Sequence, residues 1–318
     1  MNRWQPGADL ETLTLRAALL AAIRAFFASR NVLEVDTPLL CSAGVTDPAI
    51  ESLLVEQGNA LSGVRYLQTS PEYAMKRLLA AGSGPIYQIA HAFRDDESGR
   101  RHNPEFSLLE WYRPGFDHHD LMDEVAALVC ELLGREDTER VSYRDLFRQA
   151  VGLDPFTADM ASLEAAARAV TDTGSLQGPR DFWLDLLLTH VVEPSIAESG
   201  LVFVYDYPAS QAALARIDQG DDVAIAQRFE LYVDGVELAN GYWELTDAAE
   251  QRERFLSDNR IRRERGQPER PLDENLLAAL AAGMPDCSGV ALGIDRLVML
   301  ATDASDIGRV QSFSWDRC

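Results

Sequence analysis

The sequence has one lysine, Lys76, in 318 residues; the other 28 of its 29 basic residues are arginine. Against them stand 51 acidic residues, for a formal net charge of −22. Nucleic-acid binders gain affinity by placing cations on phosphates, so a field this negative opposes docking of a large RNA body. Cysteine is scarce as well: Cys41, Cys130, Cys287 and Cys318 form no C-x-x-C pair. Neither a zinc-ribbon spacing nor a disulfide framework is indicated. No run of apolar residues reads as long enough to cross a bilayer. The first residues, MNRWQPGADLETL, carry no signal-peptide core. These absences lead to the expectation of a soluble, cytoplasmic protein with no membrane partner.

What is present suits a sizeable core. The apolar fraction is 47%, with no internal repeat and no long linker, so a single domain over 1–318 is expected. Residues 9–29 show helical spacing, with Leu13, Ala17, Leu20, Ile23, Phe26 and Phe27 on a broad face and Asn31 as a stop signal. VLEVDTP (32–38) reads as a short strand ending at proline. Residues 64–69 read as a strand and 71–81 as a helix with Pro71 at its first turn. Helical patterns follow at 119–134 and 181–192, a buried strand at 201–208, and helices at 247–265 and 273–282. The stretch 135–180, short helical patterns between polar turns, is the least informative and reads as an insertion. Periodicity alone supports only mixed α and β structure.

Two segments carry most of the chemical information. Residues 87–113, YQIAHAFRDDESGRRHNPEFSLLEWYR, read as a strand, a polar loop holding Arg94, Arg100 and Arg101, and a second strand. Residues 289–300, GVALGIDRLVML, read as a strand ending at Gly293, with Arg296 opening a helix. A third segment, RFELYVDGVELANGYWEL, repeats glutamate every seven residues at Glu230, Glu237 and Glu244. Asp234-Gly235 in it is a two-residue hairpin turn. That turn pairs Tyr232 with Glu237 and Glu230 with Ala239, which puts Glu230 and Glu237 diagonally on one face. Two carboxylates so placed can hold Mg²⁺ against phosphates; a solvated acidic face has the same pattern.

The two strand–loop segments resemble motifs 2 and 3 of class II aminoacyl-tRNA synthetases, and residues 9–38 resemble the dimer-forming motif 1. The resemblance covers nearly the whole chain and is nearest the lysyl branch. It implies an α+β fold, an antiparallel sheet flanked by helices, and a homodimer through residues 9–40. It also implies an enzyme that uses ATP and Mg²⁺ to activate a carboxylate, chemistry in which arginines and the metal meet charge developing on phosphate. Arg94 and Arg296 become the catalytic residues: Arg94 on the α-phosphate and the substrate carboxylate, Arg296 on the γ-phosphate. Asp95 and Asp96 follow Arg94 into the nucleotide site, and Asp96 stands where the family usually has glutamate. His102, Asn103 and Phe106 match a nucleotide-contacting string, with Phe106 stacked on adenine, and Gly293 allows close backbone approach. Glu237 and Leu238 are given to ATP, Glu230 and Glu237 to the metal. Ser70, Glu72, Tyr112, Asn240 and Glu244 are given to the amino acid.

Glu72 and Glu244 would leave two buried carboxylates unpaired around a neutral ligand, a costly state, so a dibasic one is expected. Two features separate the chain from lysyl synthetases that charge tRNA. The catalytic pattern begins near residue 9, which leaves no room for an anticodon-binding barrel. Ala291 replaces the glycine that lysyl synthetases carry on the pocket floor, and its methyl should disfavour α-lysine. The strings TSPEYAMKRLL, ELANGYWELTD and GMPDCSGVALGIDRLVML resemble the free-standing paralogues of that branch, whose acceptor is a protein. Their reaction implies (R)-β-lysine as substrate and a lysine ε-amine of elongation factor P as acceptor, with no tRNA. The single lysine fits codon composition, and also an enzyme that acylates lysine and avoids modifying itself. The competing expectations are an ammonia-dependent asparagine synthetase, a truncated lysyl-tRNA synthetase, and a non-catalytic regulatory paralogue.

Overall fold

The computed structural model describes residues 4–55, 63–95, 97–220 and 222–318. In chain order the helices and strands are α1 (Leu10–Ser29), β1 (Leu33–Glu34), β2 (Leu40–Cys41), β3 (Leu54–Val55), β4 (Arg65–Leu67), α2 (Glu72–Ala80), β5 (Ile86–Phe93) and β6 (Glu105–Pro114). Then come α3 (His118–Leu133), β7 (Thr138–Ser142), α4 (Tyr143–Val151), α5 (Met160–Val170), α6 (Arg180–Leu187), α7 (Glu193–Ser195), β8 (Leu201–Pro208), β9 (Ile217–Asp218), β10 (Ile225–Val233) and β11 (Val236–Trp243). The chain closes with α8 (Ala248–Glu264), α9 (Glu274–Gly283), β12 (Cys287–Gly293) and α10 (Ile294–Ala301). These group into two compact units. One holds the residues up to Phe116, Glu131–Leu133 and Thr246–Cys318; the other holds Asp117–Cys130 and Gly134–Leu245.

In the first unit the strand order is β1-β5-β6-β12, parallel at the β1 edge and antiparallel elsewhere. The registers sort its side chains by alternation. Ala92, Phe106, Glu110, Tyr112, Gly289, Ala291 and Gly293 share one face; Tyr87, Trp111 and Leu292 share the other. Helix α1 covers that second face. Its N-cap, Asp9, accepts from the Thr12 amide at 2.8 Å, and Asn31 ends the turn at φ 54°. The Phe27 ring stacks on Tyr87 at 4.5 Å and meets Trp111 edge-on at 5.3 Å. Such pairs add roughly 0.5–1.5 kcal/mol each beyond the area they bury.

One sequence expectation is corrected here. With mean hydropathy 1.4, α1 is long and apolar enough to cross a membrane by length and composition. Its alanines hid this from a search for an unbroken apolar run. It buries Leu19, Ile23, Phe26 and Phe27, and Arg16 ties it to Asp295 at 2.6 Å and to Ser107 at 2.8 Å. Asp295 also accepts the Ser107 amide at 2.8 Å. One buried carboxylate thus joins α1, β6 and α10.

In the second unit the order is β11-β10-β8-β7, with β9 also on β10; β7 runs parallel to β8 and the rest are antiparallel. The stretch read as an insertion supplies its edge strand β7 and two helices, and Phe147, Leu163 and Ala167 are fully buried in its core. The helix expected over 181–192 loses α-geometry at Leu188 and continues as a π-helical turn to Val192. At the β10–β11 hairpin, Asp234 (φ 49°) and Gly235 (φ 73°) form the turn read from the sequence. An added Cβ at Gly235 would come within 3.0 Å of Ala197. The register beyond the turn departs from expectation: Tyr232 faces Glu237, but Glu230 faces Asn240, not Ala239, because a bulge intervenes at Leu238.

Candidate active site

The candidate residues fall into one set per unit. In the first unit, Arg94 follows β5 directly, and its backbone is fixed on both sides. The Arg94 amide donates to the Pro104 carbonyl at 3.0 Å, the Phe93 amide to Gln68 at 2.9 Å, and the Asp95 amide to Glu51 at 2.8 Å. Its guanidinium lies 5.0 Å from the Phe106 ring centroid and reaches Glu97 at 3.2 Å. Phe106, expected on adenine, therefore lies against the candidate phosphate-binding arginine. Asp96 lies outside the described residues. Glu97, a residue sequence reasoning passed over, provides the resting partner of Arg94.

Arg296 lies in the first turn of α10, where its Nη2 meets His102 Nε2 at 2.7 Å. Burial and the neighbouring Arg296 charge push the His102 pKa below its ordinary value, so a neutral ring accepts from the guanidinium. Asn103 is buried with both side-chain atoms engaged. Its Nδ2 donates to the Glu105 carbonyl at 2.7 Å and its Oδ1 accepts the Trp315 amide at 2.9 Å. Gly293 has φ −75°, and no atom outside its neighbours comes nearer than 3.7 Å to an added Cβ. Neither backbone conformation nor packing demands glycine there, so the open space accords with a ligand.

The amino-acid side of this set centres on Glu110, which sequence reasoning missed. It is 2% exposed, and its carboxylate accepts from Ser70 Oγ at 2.7 Å and from the Tyr112 hydroxyl at 2.6 Å. Burial first, then the Glu72 charge, raise its pKa to about 7. Ala291 stands directly across the strand pair from it. Glu72 differs from expectation: Lys76 donates to it at 2.6 Å, and the lysine is 1% exposed on the same helix. Glu72 would therefore not lie unpaired around a neutral ligand, contrary to expectation, since the chain's one lysine neutralises it. Glu110 takes its place as the buried carboxylate whose hydrogen bonds come from two hydroxyl groups. The signal was available: in EFSLLEWYR it is a lone carboxylate inside an apolar run, in phase with Tyr112.

In the second unit the bulge decides which side chains share a face. Glu237 is an odd number of residues from Asn240, so an unbroken strand would point them oppositely. The extra residue, buried Leu238, restores the phase: Glu237, Asn240 and Tyr242 stand opposite Tyr232, Glu230 and Arg228, all on one face. Continuing the alternation past Tyr242 brings in Glu244, which is 1% exposed. Glu230 itself is saturated. One oxygen accepts from Arg228 and from Asn240 at 3.2 Å; the other accepts from Tyr207 and Tyr232, each at 2.6 Å. Arg228 also donates to the Asn240 oxygen at 3.2 Å. Burial, and after it the Glu230 charge, raise both tyrosine pKa values, so they remain donors. The structure thus makes Glu230 the centre of a positioning network for Asn240 instead of an open metal ligand; half-buried Glu237 remains the better candidate.

The comparisons with known proteins give the family. The family described as tRNA synthetases class II (D, K and N) matches residues 8–317. Among similar curated proteins is one named elongation factor P–(R)-β-lysine ligase, from Salmonella paratyphi B. It is 50% identical over 99% of this chain and 98% of its own length. Relatives of the same name from Salmonella dublin and Salmonella heidelberg are 51% and 50% identical, with the same coverage.

Proposed function

The chain belongs to the class II tRNA synthetases of the D, K and N group, and from that membership we propose that it adenylates (R)-β-lysine with ATP and passes it to a lysine ε-amine of elongation factor P. The observation that carries the substrate reading is the buried Ser70–Glu110–Tyr112 cluster facing Ala291: a carboxylate in an apolar strand is prepared for an ammonium group. The names of relatives aligned over the full length supply the acceptor.

In the first step a carboxylate oxygen of β-lysine attacks the α-phosphorus of ATP. The bond to the bridging oxygen breaks, and pyrophosphate leaves. Arg94 binds the α-phosphate and the attacking carboxylate; Arg296, oriented by neutral His102, binds the γ-phosphate. Both offer planar forks of donors that suit phosphate oxygens. Mg²⁺ bound with ATP would neutralise part of the triphosphate charge, and Glu237 is the residue we assign to it. Asn240 and Glu244 serve the amino acid. In the second step the acceptor amine attacks the acyl carbon, AMP leaves, the amine loses its proton and an amide forms. A net charge of −22 favours a protein acceptor over tRNA. Leu10 and Leu33 are 79% and 56% exposed on the segment given to dimerisation, which supports a homodimer.

Intact-mass measurement of elongation factor P after incubation with the protein, ATP and (R)-β-lysine tests the whole reading. One added lysyl mass is expected, formed faster with the β-isomer than with α-lysine. Pyrophosphate exchange without added mass would remove the acceptor from the proposal. Ala291→Gly probes the pocket floor separately. Removing one methyl should shift the β-to-α preference toward α-lysine by about tenfold, the scale on which pockets sense one carbon. An unchanged ratio would detach Ala291 from specificity.

A further inference from the structure

Two arginines in the first unit are buried around a single carboxylate. Arg262, at the end of α8, is 0% exposed, and Arg270 is 7% exposed; both form ion pairs with Glu51. Burial pushes the pKa of each arginine below its ordinary value, so the arrangement is costly. Buried Arg–Glu–Arg groups of this kind are often less stabilising than apolar side chains of equal volume. Its justification lies in what it holds.

Arg262 also donates to the Asp47 carbonyl at 3.0 Å and to the Pro268 carbonyl at 2.8 Å. Thr46 donates to Asp258 on α8 at 2.7 Å, and Gln267 to the Pro48 carbonyl at 3.1 Å. Asn259 locks Arg270 in place through a reciprocal pair of bonds, at 2.9 and 2.8 Å, to its carbonyl and amide. The segment 46–51 is therefore moulded onto the end of α8 residue by residue. Its last residue, Glu51, presents the main-chain carbonyl that receives the Asp95 amide at 2.8 Å. That bond fixes the chain one residue beyond Arg94, just where β5 gives way to the loop.

We propose that Arg262 and Arg270, acting through Glu51, are positioning residues for the nucleotide-binding arginine Arg94. This rests on the reading that Arg94 binds ATP. The guanidinium pair clamps the Glu51 side chain, the clamped residue aims its carbonyl, and the carbonyl sets where the Arg94 backbone leaves the sheet. A shift of about 1 Å at a phosphate-binding group costs on the order of 10²-fold when the error falls on reacting atoms.

ATP–pyrophosphate exchange with (R)-β-lysine, with KM for ATP and for β-lysine measured separately, tests this in Glu51→Gln, Arg262→Met and Glu51→Asp. Circular dichroism fixes a temperature at which every variant is folded; should Arg262→Met not fold, Glu51→Gln carries the test. For Glu51→Gln and Arg262→Met, KM for ATP should rise by about tenfold, while KM for β-lysine, whose carboxylate Arg94 also holds but whose amine rests on Glu110, rises by less than about threefold. Glu51→Asp keeps the charge and should recover most of the ATP affinity. An ATP KM that stays put, or rises only in step with the β-lysine KM, would reduce the group to a structural clamp and overturn the proposal. Arg94→Ala is assayed alongside. If it leaves ATP use normal, the nucleotide reading fails; if it destroys exchange while the Glu51 and Arg262 variants bind ATP normally, only the positioning inference fails.

Discussion

Arg94→Ala abolishes ATP–pyrophosphate exchange, to below about 10⁻³ of the parent rate, because it removes a charge-bearing donor aimed at the reacting phosphate. The expectation follows from how the residue is held. Three main-chain bonds stitch residues 93–95 to Gln68, Glu51 and Pro104, so the backbone is rigid where the side chain departs. The guanidinium donates to the Thr69 carbonyl at 3.4 Å and to Glu97 at 3.2 Å, and phosphate oxygens can replace the Glu97 contact. The alternative, that Arg94 is merely one half of a surface ion pair, makes a different forecast. Partly exposed pairs are worth about 0–1 kcal/mol. On that reading Arg94→Ala would leave exchange nearly normal, and Glu97→Ala would match it. On ours Glu97→Ala leaves exchange within about threefold, because it removes only the resting partner. Arg94→Lys should recover little, since a single ammonium cannot reproduce the two-pronged contact.

Local rules made much of the fold legible. Asp9 caps α1, Asp117 and Asp120 form a capping box on α3, and Gly134 ends that helix in the left-handed region. Asp234-Gly235 turned as its dipeptide dictates. The motif strings also named residues that the folded chain gathers: Ser70, Tyr112 and Ala291 around one carboxylate, and His102 against Arg296. What escaped depends on parity and on distant partners. The Leu238 bulge leaves no mark in a composition window, yet it alone puts Glu237 in phase with Asn240. Lys76 is one turn from Glu72, a spacing that allows either a pair or two separate contacts; burial chose the pair. Glu51 and Arg262 are 211 residues apart, and no periodicity could have joined them. The helices of 143–170 looked uninformative because their apolar positions are spread over short elements that complete a core only against β8.

Glu110→Gln raises KM for β-lysine by about 10²-fold and flattens its dependence on pH, in keeping with the cost of taking the charge from one partner of a buried pair. In the parent protein the Glu110 carboxyl titrates near pH 7. Below that pH it carries a proton, and an incoming ammonium must displace it. KM should therefore fall as pH rises toward 7, by up to about tenfold per unit, and level off above it. Folding stability runs the other way. The unfolded chain releases this proton near the ordinary glutamate value of 4.5 and the folded chain near 7. Between those values the folded state binds more protons, so the group's contribution is greatest in acid, declines as pH rises through the window and is flat above it. Glutamine keeps the volume but cannot ionise, and its amide hydrogens confront the Ser70 and Tyr112 donors. A glutamine variant with an unchanged KM would move the amine away from Glu110. A raised KM that still falls with pH would assign the titration to another group and leave Glu110 only the contact. Lys76 already balances Glu72, so the substrate's ammonium is left to Glu110, whose raised pKa ties that contact to pH.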